Sequence, residues 1–281
     1  MAVLVTGGAG FIGSQLALRL LDLGEDVVIL DNFDDYYSPA IKRANIASLG
    51  DKPVVIEGDI RDEALVDRLF REHHITRVAH LAALAGVRAS VNKGRLYSDV
   101  NTAGSVNLMD ASRKYGVEVF VQGSTSSVYG HTTQVPFVET DAADRPLAPY
   151  PASKRAAELM GYSYHHLFDL NVTCLRFFNV YGPHGRPDMM PLKVIESILN
   201  DQTITVYQGG ELQRDWTFVD DIVSGVIAAL GRPIGFEVIN LGFGAPISLI
   251  KFIQIYEGLI GKTAKQQSVP VPLTEPLITY C

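Results

Sequence analysis

Short, nearly continuous apolar runs punctuate the first part of the chain: Val3-Leu4-Val5, Val27-Val28-Ile29-Leu30, Val54-Val55-Ile56, Val78-Ala79-His80-Leu81 and Val119-Phe120-Val121. Runs this short, without polar alternation, predict strands buried on both faces of a parallel sheet. Between the first two runs Ile12, Leu16, Leu20 and Leu23 recur at helical spacing, and Gly24 marks the stop. Helical patterns also cover 61–72, 99–115 and 152–168, and another strand is predicted at 172–178. The alternation predicts an α/β fold on a doubly wound parallel sheet.

From about Asn179 the pattern changes. Residues 181–187 (YGPHGRP) are turn-rich, Leu192 to Leu199 has helical character, and the apolar segment Asp215-Trp216-Thr217-Phe218-Val219 follows. A helix is predicted from Asp221 to Leu230, with Asp220-Asp221 as its N-cap, and then a strand at Val238-Ile239-Asn240. This gives a first domain over 1–178 and a smaller lobe over 179–281, set above the carboxyl edge of the sheet and short at its C-terminus. The sequence holds no internal repeat and no low-complexity stretch.

With 281 residues, 47% of them hydrophobic, the chain can bury a sizeable core. A net charge of −7, with no Lys/Arg cluster beyond a dipeptide, argues against a nucleic-acid partner. Cys174, inside an apolar run, reads as a buried structural thiol. The seven histidines lack metal-ligand spacing, and the adjacent His165 and His166 diverge on a helix, so no metal is expected. No apolar run reaches spanning length and no signal peptide is expected before the first strand, which predicts a cytoplasmic protein with no membrane partner.

The chemistry-bearing motifs lie at the ends of predicted strands. Gly7-Gly8-Ala9-Gly10-Phe11-Ile12-Gly13 joins a strand to a helix, so its backbone can approach a pyrophosphate at the helix N-terminus. Asp31 closes the second strand, where a carboxylate accepts both ribose hydroxyls and repels a 2′-phosphate, favouring NAD over NADP. Asp59-Ile60, after the third strand, can contact adenine, and the aspartate can equally cap helix 61–72. Tyr150 and Lys154 share one helix face, where an ammonium favours the phenolate and lets the tyrosine take a proton from a sugar hydroxyl. The strand end Ser124-Thr125-Ser126-Ser127 presents four hydroxyls and no acid.

Taken together, TGGAGFIG, Asp31, HLAA at 80–83, STSSVYG, YPASK and RFFNVYGP make the chain similar to extended short-chain dehydrogenases/reductases, and more narrowly to NAD-dependent UDP-sugar 4-epimerases. The segment from Asp31 to Tyr37 with Lys42-Arg43, Ala85-Gly86-Val87-Arg88, and Gly185-Arg186-Pro187-Asp188-Met189 resemble the UDP-glucuronate branch. That resemblance implies a Rossmann domain with NAD held by Gly7, Gly10, Phe11, Ile12, Asp31, Asn32, Asp59, Ile60, Leu81, Ala82, Ala83, Tyr150 and Lys154. It implies catalysis by Thr125, Tyr150 and Lys154. Asn179 and Arg214 would hold the UDP phosphates, Tyr207 the uracil, and Arg88, Arg186, Ser126 and Ser127 the sugar. A homodimer through helices 99–115 and 152–168 is also implied.

Relatives that eliminate water or carbon dioxide after oxidation carry an acid at the position of Ser127. A serine is a poor general acid or base near neutral pH, so the hydroxyl set points to epimerisation. The alternatives are a UDP-glucose/UDP-galactose 4-epimerase, which Asn179 resembles, a UDP-glucuronate decarboxylase or sugar-nucleotide dehydratase, and a non-catalytic nucleotide-binding protein.

Overall fold

The structure, a computed structural model, describes residues 1–132 and 134–281. The chain starts as β1 (Ala2–Thr6), α1 (Phe11–Asp22), β2 (Asp26–Asp31), α2 (Pro39–Ala47), β3 (Val54–Glu57), α3 (Glu63–His73) and β4 (Ile75–His80). Short helices α4 (Val87–Ser90) and α5 (Gly94–Ser98) lead through a π-helical turn, Asp99–Ala103, into α6 (Gly104–Tyr115). Then come β5 (Val119–Thr125), a 3₁₀ turn at Ser126–Tyr129, α7 (Pro149–Phe168) and β6 (Val172–Phe177). The remainder comprises β7 (Asn179–Tyr181), α8 (Met190–Leu199), β8 (Thr203–Tyr207), β9 (Gln213–Arg214), β10 (Trp216–Phe218), α9 (Val219–Leu230) and β11 (Phe236–Leu241), followed by β12 (Ile247–Ser248), α10 (Leu249–Ile260), β13 (Lys265–Val269) and β14 (Ile278–Thr279).

Seven parallel strands form the central sheet in the order β11-β6-β5-β4-β1-β2-β3. The order reverses between β1 and β4, which opens a crevice at their carboxyl ends. Side chains alternate between two cores. Val3, Val5 and Ile29 pack with Leu16 and Leu20 of α1 and Ile222 and Val226 of α9. Leu4, Val28 and Leu30 pack on the other face with Val66, Leu69 and Phe70 of α3 and Leu108 and Met109 of α6. A third cluster fills the smaller lobe, where Val194, Ile198, Ile204, Val206, Phe252 and Ile253 gather beside Trp216, stacked on Phe252 at 4.2 Å.

The expected helices and strands are present, with shifted limits. Gly24 (φ 81°) follows the end of α1, and Gly24 and Glu25 donate backbone bonds to Leu21 and Leu20. The predicted 61–72 helix starts at Glu63, capped by Asp62, which accepts from the Leu65 amide. The 99–115 helix is broken by the π turn, and 152–168 begins earlier, at Pro149. Some expectations are corrected. Val54 and Val55 are exposed, not buried on both faces, because β3 is the edge of the sheet. Helix α9 begins at Val219, so Asp220 and Asp221 lie within its first turn, facing the helix dipole, rather than at its cap. The strand at 238–240 belongs to the main sheet, where β11 pairs with β6, and α9 packs against α1. The residues after 179 are therefore divided between the sheet and the lobe.

Candidate active site

Two clefts of about 330 and 550 Å³ meet over the carboxyl ends of β1, β4 and β5. The first is lined by Gly7, Gly10, Phe11, Ile12, Asp31, Asn32, Asp59, Ile60, Leu81, Ala82, Ala83 and Lys154. The second is lined by Arg88, Ser126, Ser127, Asn179, Tyr207 and Arg214. Thr125, Tyr150 and Arg186 line both. Every residue given a binding or catalytic role from the sequence thus lies in one cleft or the other.

The glycine turn is shaped for close approach. Gly7 has φ +69°, and a Cβ there would sit 2.7 Å from the Ala82 amide nitrogen. A Cβ on Gly13 would collide with the Gly7 carbonyl, so α1 can lie tight against the turn. Gly10 offers no side-chain cap and the first turn of α1 holds no acid, leaving its N–H groups free to meet an anion. Asp31, 7% exposed, already accepts from the Ala9 amide at 3.0 Å and the Phe33 amide at 2.8 Å. It therefore shapes the cleft as well as facing it. Asp59 does not cap α3; it accepts from Arg61 at 2.9 and 2.7 Å and from Asn32 at 3.1 Å, and the hydrogen bonds from Arg61 hold its carboxyl down to about 2. The His80 ring bridges Thr6 at 2.7 Å and Ser105 at 2.8 Å, tying the HLAA segment to β1 and α6.

Helix α7 has no side-chain cap of its own. Instead Ser90 Oγ accepts from the Tyr150 amide at 3.1 Å, and Ser153 Oγ donates to the Tyr150 carbonyl at 2.8 Å. Asn101, fully buried in the π turn, donates to Ser153 at 3.0 Å and exchanges bonds with the Leu84 backbone at 2.8 and 2.9 Å. Tyr150 is thereby fixed with its phenol at the junction of the clefts and the Tyr97 ring edge-on at 6.2 Å. Burial raises the phenol above its ordinary pKa of 10.0, while the Thr125 side chain and the Arg186 charge pull it back. From the spacing in the sequence, that lowering influence is expected of Lys154. The structure gives it to Thr125 and Arg186, since Lys154 lies a turn further along α7, 2% exposed, where burial pulls its own ammonium down to about 8.

The arginines in the second cleft are engaged. Arg186 holds Asp188 through bonds of 2.9 and 2.6 Å, and Tyr36 donates to the same carboxylate at 3.1 Å. Arg88 lies over the Tyr207 ring at 4.9 Å and donates to Glu275 at 3.1 and 2.8 Å. Arg214 donates to the other oxygen of Glu275 at 3.0 Å. Glu275 lies in the turn before β14, which pairs with β9, so a carboxylate stands at the wall of the second cleft. Glu275 is not among the residues singled out from the sequence. A lone glutamate between two prolines carries no periodic signal, and its partners Arg88 and Arg214 lie far away in the chain.

A dinucleotide-type cleft at the switch point of a doubly wound sheet, opening onto a second cleft at a tyrosine, defines a nucleotide-dependent enzyme acting on an alcohol carbon. The chain belongs to the NAD dependent epimerase/dehydratase family, which it matches over residues 3–242. It is similar to the UDP-glucuronate 4-epimerase of Thermodesulfobacterium geofontis, 42% identical over 280 residues, covering 99% of this chain and 86% of that protein. UDP-glucuronate 4-epimerase 5 of Arabidopsis thaliana is 40% identical over 290 residues, covering 97% of this chain but 66% of the plant protein. Among solved structures, the UDP-glucuronic acid 4-epimerase of Bacillus cereus, in complex with UDP-glucuronic acid and NAD, superposes with a TM-score of 0.93 at 35% identity. That match covers 100% of this chain and 90% of the other. No helix among the described residues is long and apolar enough to cross a membrane.

Proposed function

We propose that the protein interconverts the carbon-4 epimers of a UDP-sugar through a transient 4-keto sugar, with NAD as cofactor and UDP-glucuronate as the substrate that becomes UDP-galacturonate. The observation that carries this reading is the position of Tyr150 and Thr125 at the meeting of the two clefts, with no carboxyl side chain in the segment Ser124 to Tyr129 around Thr125. The B. cereus protein that binds UDP-glucuronic acid and NAD supports the choice of ligands.

In this reading Gly7, Gly10, Phe11 and Ile12 take the cofactor diphosphate, Asp31 and Asn32 the adenosine ribose, and Asp59 and Ile60 the adenine. Leu81, Ala82, Ala83 and Lys154 line the nicotinamide half. Bound NAD supplies the hydride acceptor and donor. Tyr150 accepts the proton of the 4-hydroxyl and later returns it, and Thr125 orients that hydroxyl. Asn179 and Arg214 hold the diphosphate and Tyr207 the uracil, so the nucleotide stays anchored while the sugar turns. Arg88, Arg186, Ser126 and Ser127 face the sugar and its carboxylate. Ser127 leaves no efficient proton acceptor beside the neighbouring carbons, which disfavours loss of water or carbon dioxide.

A second reading, interconversion of UDP-glucose and UDP-galactose, is favoured by Asn179 and by the prior engagement of Arg186 with Asp188. Incubating the chain separately with each substrate and chromatographing the products tests both. Formation of UDP-galacturonate without carbon dioxide release upholds the first reading. Turnover of UDP-glucose alone transfers the assignment to the second, and inertness towards both overturns the two together. Exposed Leu159, Tyr162, Leu167 and Phe168 along α7 support a homodimer through the 99–115 and 152–168 helices, and the free thiols of Cys174 and Cys281 support a cytoplasmic setting.

A further inference from the structure

One fully buried ionic cluster takes no part in the site so far. Glu158 is 0% exposed and Arg176 1%, and neither lines a cleft. Glu158 Oε1 accepts from the Ser124 hydroxyl at 2.5 Å and from Arg176 Nε at 3.1 Å. Its Oε2 accepts from Arg176 Nη2 at 2.8 Å and from Arg155 Nη1 at 3.0 Å. Arg176 also lies over the Tyr129 ring at 4.7 Å, and Tyr129 donates to Asn240 at 2.7 Å.

The cluster sits directly behind the chemistry. Tyr150, Lys154 and Glu158 follow one another at intervals of four along α7, hence on one helix face. Ser124 is the residue before Thr125 on β5, and Arg176 is on the neighbouring β6. A single carboxylate therefore joins the helix that carries Tyr150 and Lys154 to the strand that carries Thr125. We propose that Glu158, held by Arg176 and Ser124, is a positioning residue: it fixes α7 against β5 and supplies the buried negative charge behind Lys154. This rests on the epimerase reading of Tyr150 and extends it to a residue that touches no ligand.

An ion pair that only fills a core can be exchanged for apolar side chains of similar volume, often without loss of stability. A pair placed for chemistry cannot be exchanged without changing the reaction. The groups facing Lys154 and its partner are Arg155 on the same helix, Cys174 and Arg176 on β6, His80 on β4, Ser124 on β5 and Tyr129 after it. Burial lowers the Lys154 ammonium, and Cys174 and Glu158 push it back up. Loss of the Glu158 charge, with both arginines still in place, favours neutral Lys154, so the ammonium proposed beside the nicotinamide half is lost at lower pH. The alkaline limb of the kcat profile then moves to lower pH.

The test uses the full NAD-loaded chain and compares Glu158→Gln, the double variant Glu158→Leu/Arg176→Met, and Ser124→Ala. For Glu158→Gln, kcat should fall about tenfold with KM for UDP-glucuronate within about twofold, as for a small displacement of reacting groups. The alkaline limb should shift downward. The double variant should regain thermal stability without regaining kcat or the parental limb, and Ser124→Ala should lose some kcat at unchanged Tm. A double variant with parental kcat and pH profile would overturn the proposal and leave the pair as a core brace. Should Glu158→Gln fail to fold, the other two variants decide: reduced kcat in both upholds the proposal and parental kcat in both overturns it. A parent chain without epimerase turnover would instead sink the proposed function, and that is seen before any variant is compared.

Discussion

Arg88 and Arg214 close on one carboxylate, that of Glu275, at 2.8 and 3.0 Å. Burial and the nearby Arg88 lower the Arg214 guanidinium, and Glu275 opposes them. The acid thus holds two like charges side by side at the wall of the second cleft. Arg214 is remote from Tyr150 in role, since it anchors a phosphate group in the proposed function. Arg214→Gln should raise KM for the UDP-sugar on the order of 10- to 100-fold, the range for a charge-assisted hydrogen bond, and leave kcat within a few-fold. Steady-state kinetics check this; a loss confined to kcat would remove Arg214 from the binding role.

Tyr150→Phe keeps the ring beside Tyr97 and removes the proton acceptor. Epimerisation should slow by about 10² to 10⁴, typical for the loss of a general base, while NAD stays bound. A variant within a few-fold of the parent rate would show that the chemistry lies elsewhere.

Lys154→Met should stabilise the NAD-free chain at pH 7 while abolishing turnover. The shift of the buried ammonium from 10.5 to about 8 corresponds to about 3 kcal/mol of cost. Below about pH 8 the folded chain carries this charge and bears that cost in full. As pH rises from about 8 towards 10.5 the folded chain releases the proton before the unfolded chain does, so the parent gains stability and the advantage of methionine fades. Tyr37, pushed up to about 12 by burial, works in the opposite sense above 10.0 but is common to both chains. Thermal melts at several pH values read the difference directly, and a variant less stable than its parent at pH 7 would contradict this account.

Asp31→Ala removes a proposed ribose acceptor and also the brace on Ala9 and Phe33. NAD affinity should fall by at least about tenfold, as expected for a lost charged hydrogen bond, and the preference over NADP should narrow. Equilibrium binding of both cofactors tests it. Tighter binding of NADP than NAD by the unmodified chain would reverse the assignment.

For Arg186, the existing pair with Asp188 matters. A sugar carboxylate must share that guanidinium, so Arg186→Leu should lower kcat/KM on UDP-glucuronate about tenfold more than on UDP-glucose, the lower end for such a contact. Equal losses on both substrates would assign Arg186 to bracing Asp188 and, through it, Tyr36.

Much of the fold could be read from the pattern of apolar positions because β1, β2, β4 and β5 are buried on both faces, where an unbroken apolar run is the physical requirement. The same pattern misled at β3, whose Val-Val-Ile run lies at the edge, since local sequence does not encode a strand's neighbours. The return of β11 to the sheet depends on packing of α9 against α1, a contact between segments far apart in the chain. At the site, residues that carry their chemistry in fixed local spacing, such as Gly7 to Gly13 or Tyr150 and Lys154, were legible. Glu158 has the same spacing but no local signal, because its partners Ser124 and Arg176 come from other strands. Glu275 could not be placed at all without the pairing of β14 on β9.

That pairing sets an order of assembly. The glycine turn, Asp31, Asp59 and the HLAA segment all come from β1 to β4 and the turns that follow them, and the sheet face beneath them is completed by α9. The wall of the second cleft needs Arg88 and Arg214 to meet Glu275, and β14 to seat on β9. During synthesis, where N-terminal units fold first, the cofactor cleft can close once α9 has covered Val3, Val5 and Ile29, whereas the grip on a nucleotide sugar waits for Glu275 and β14.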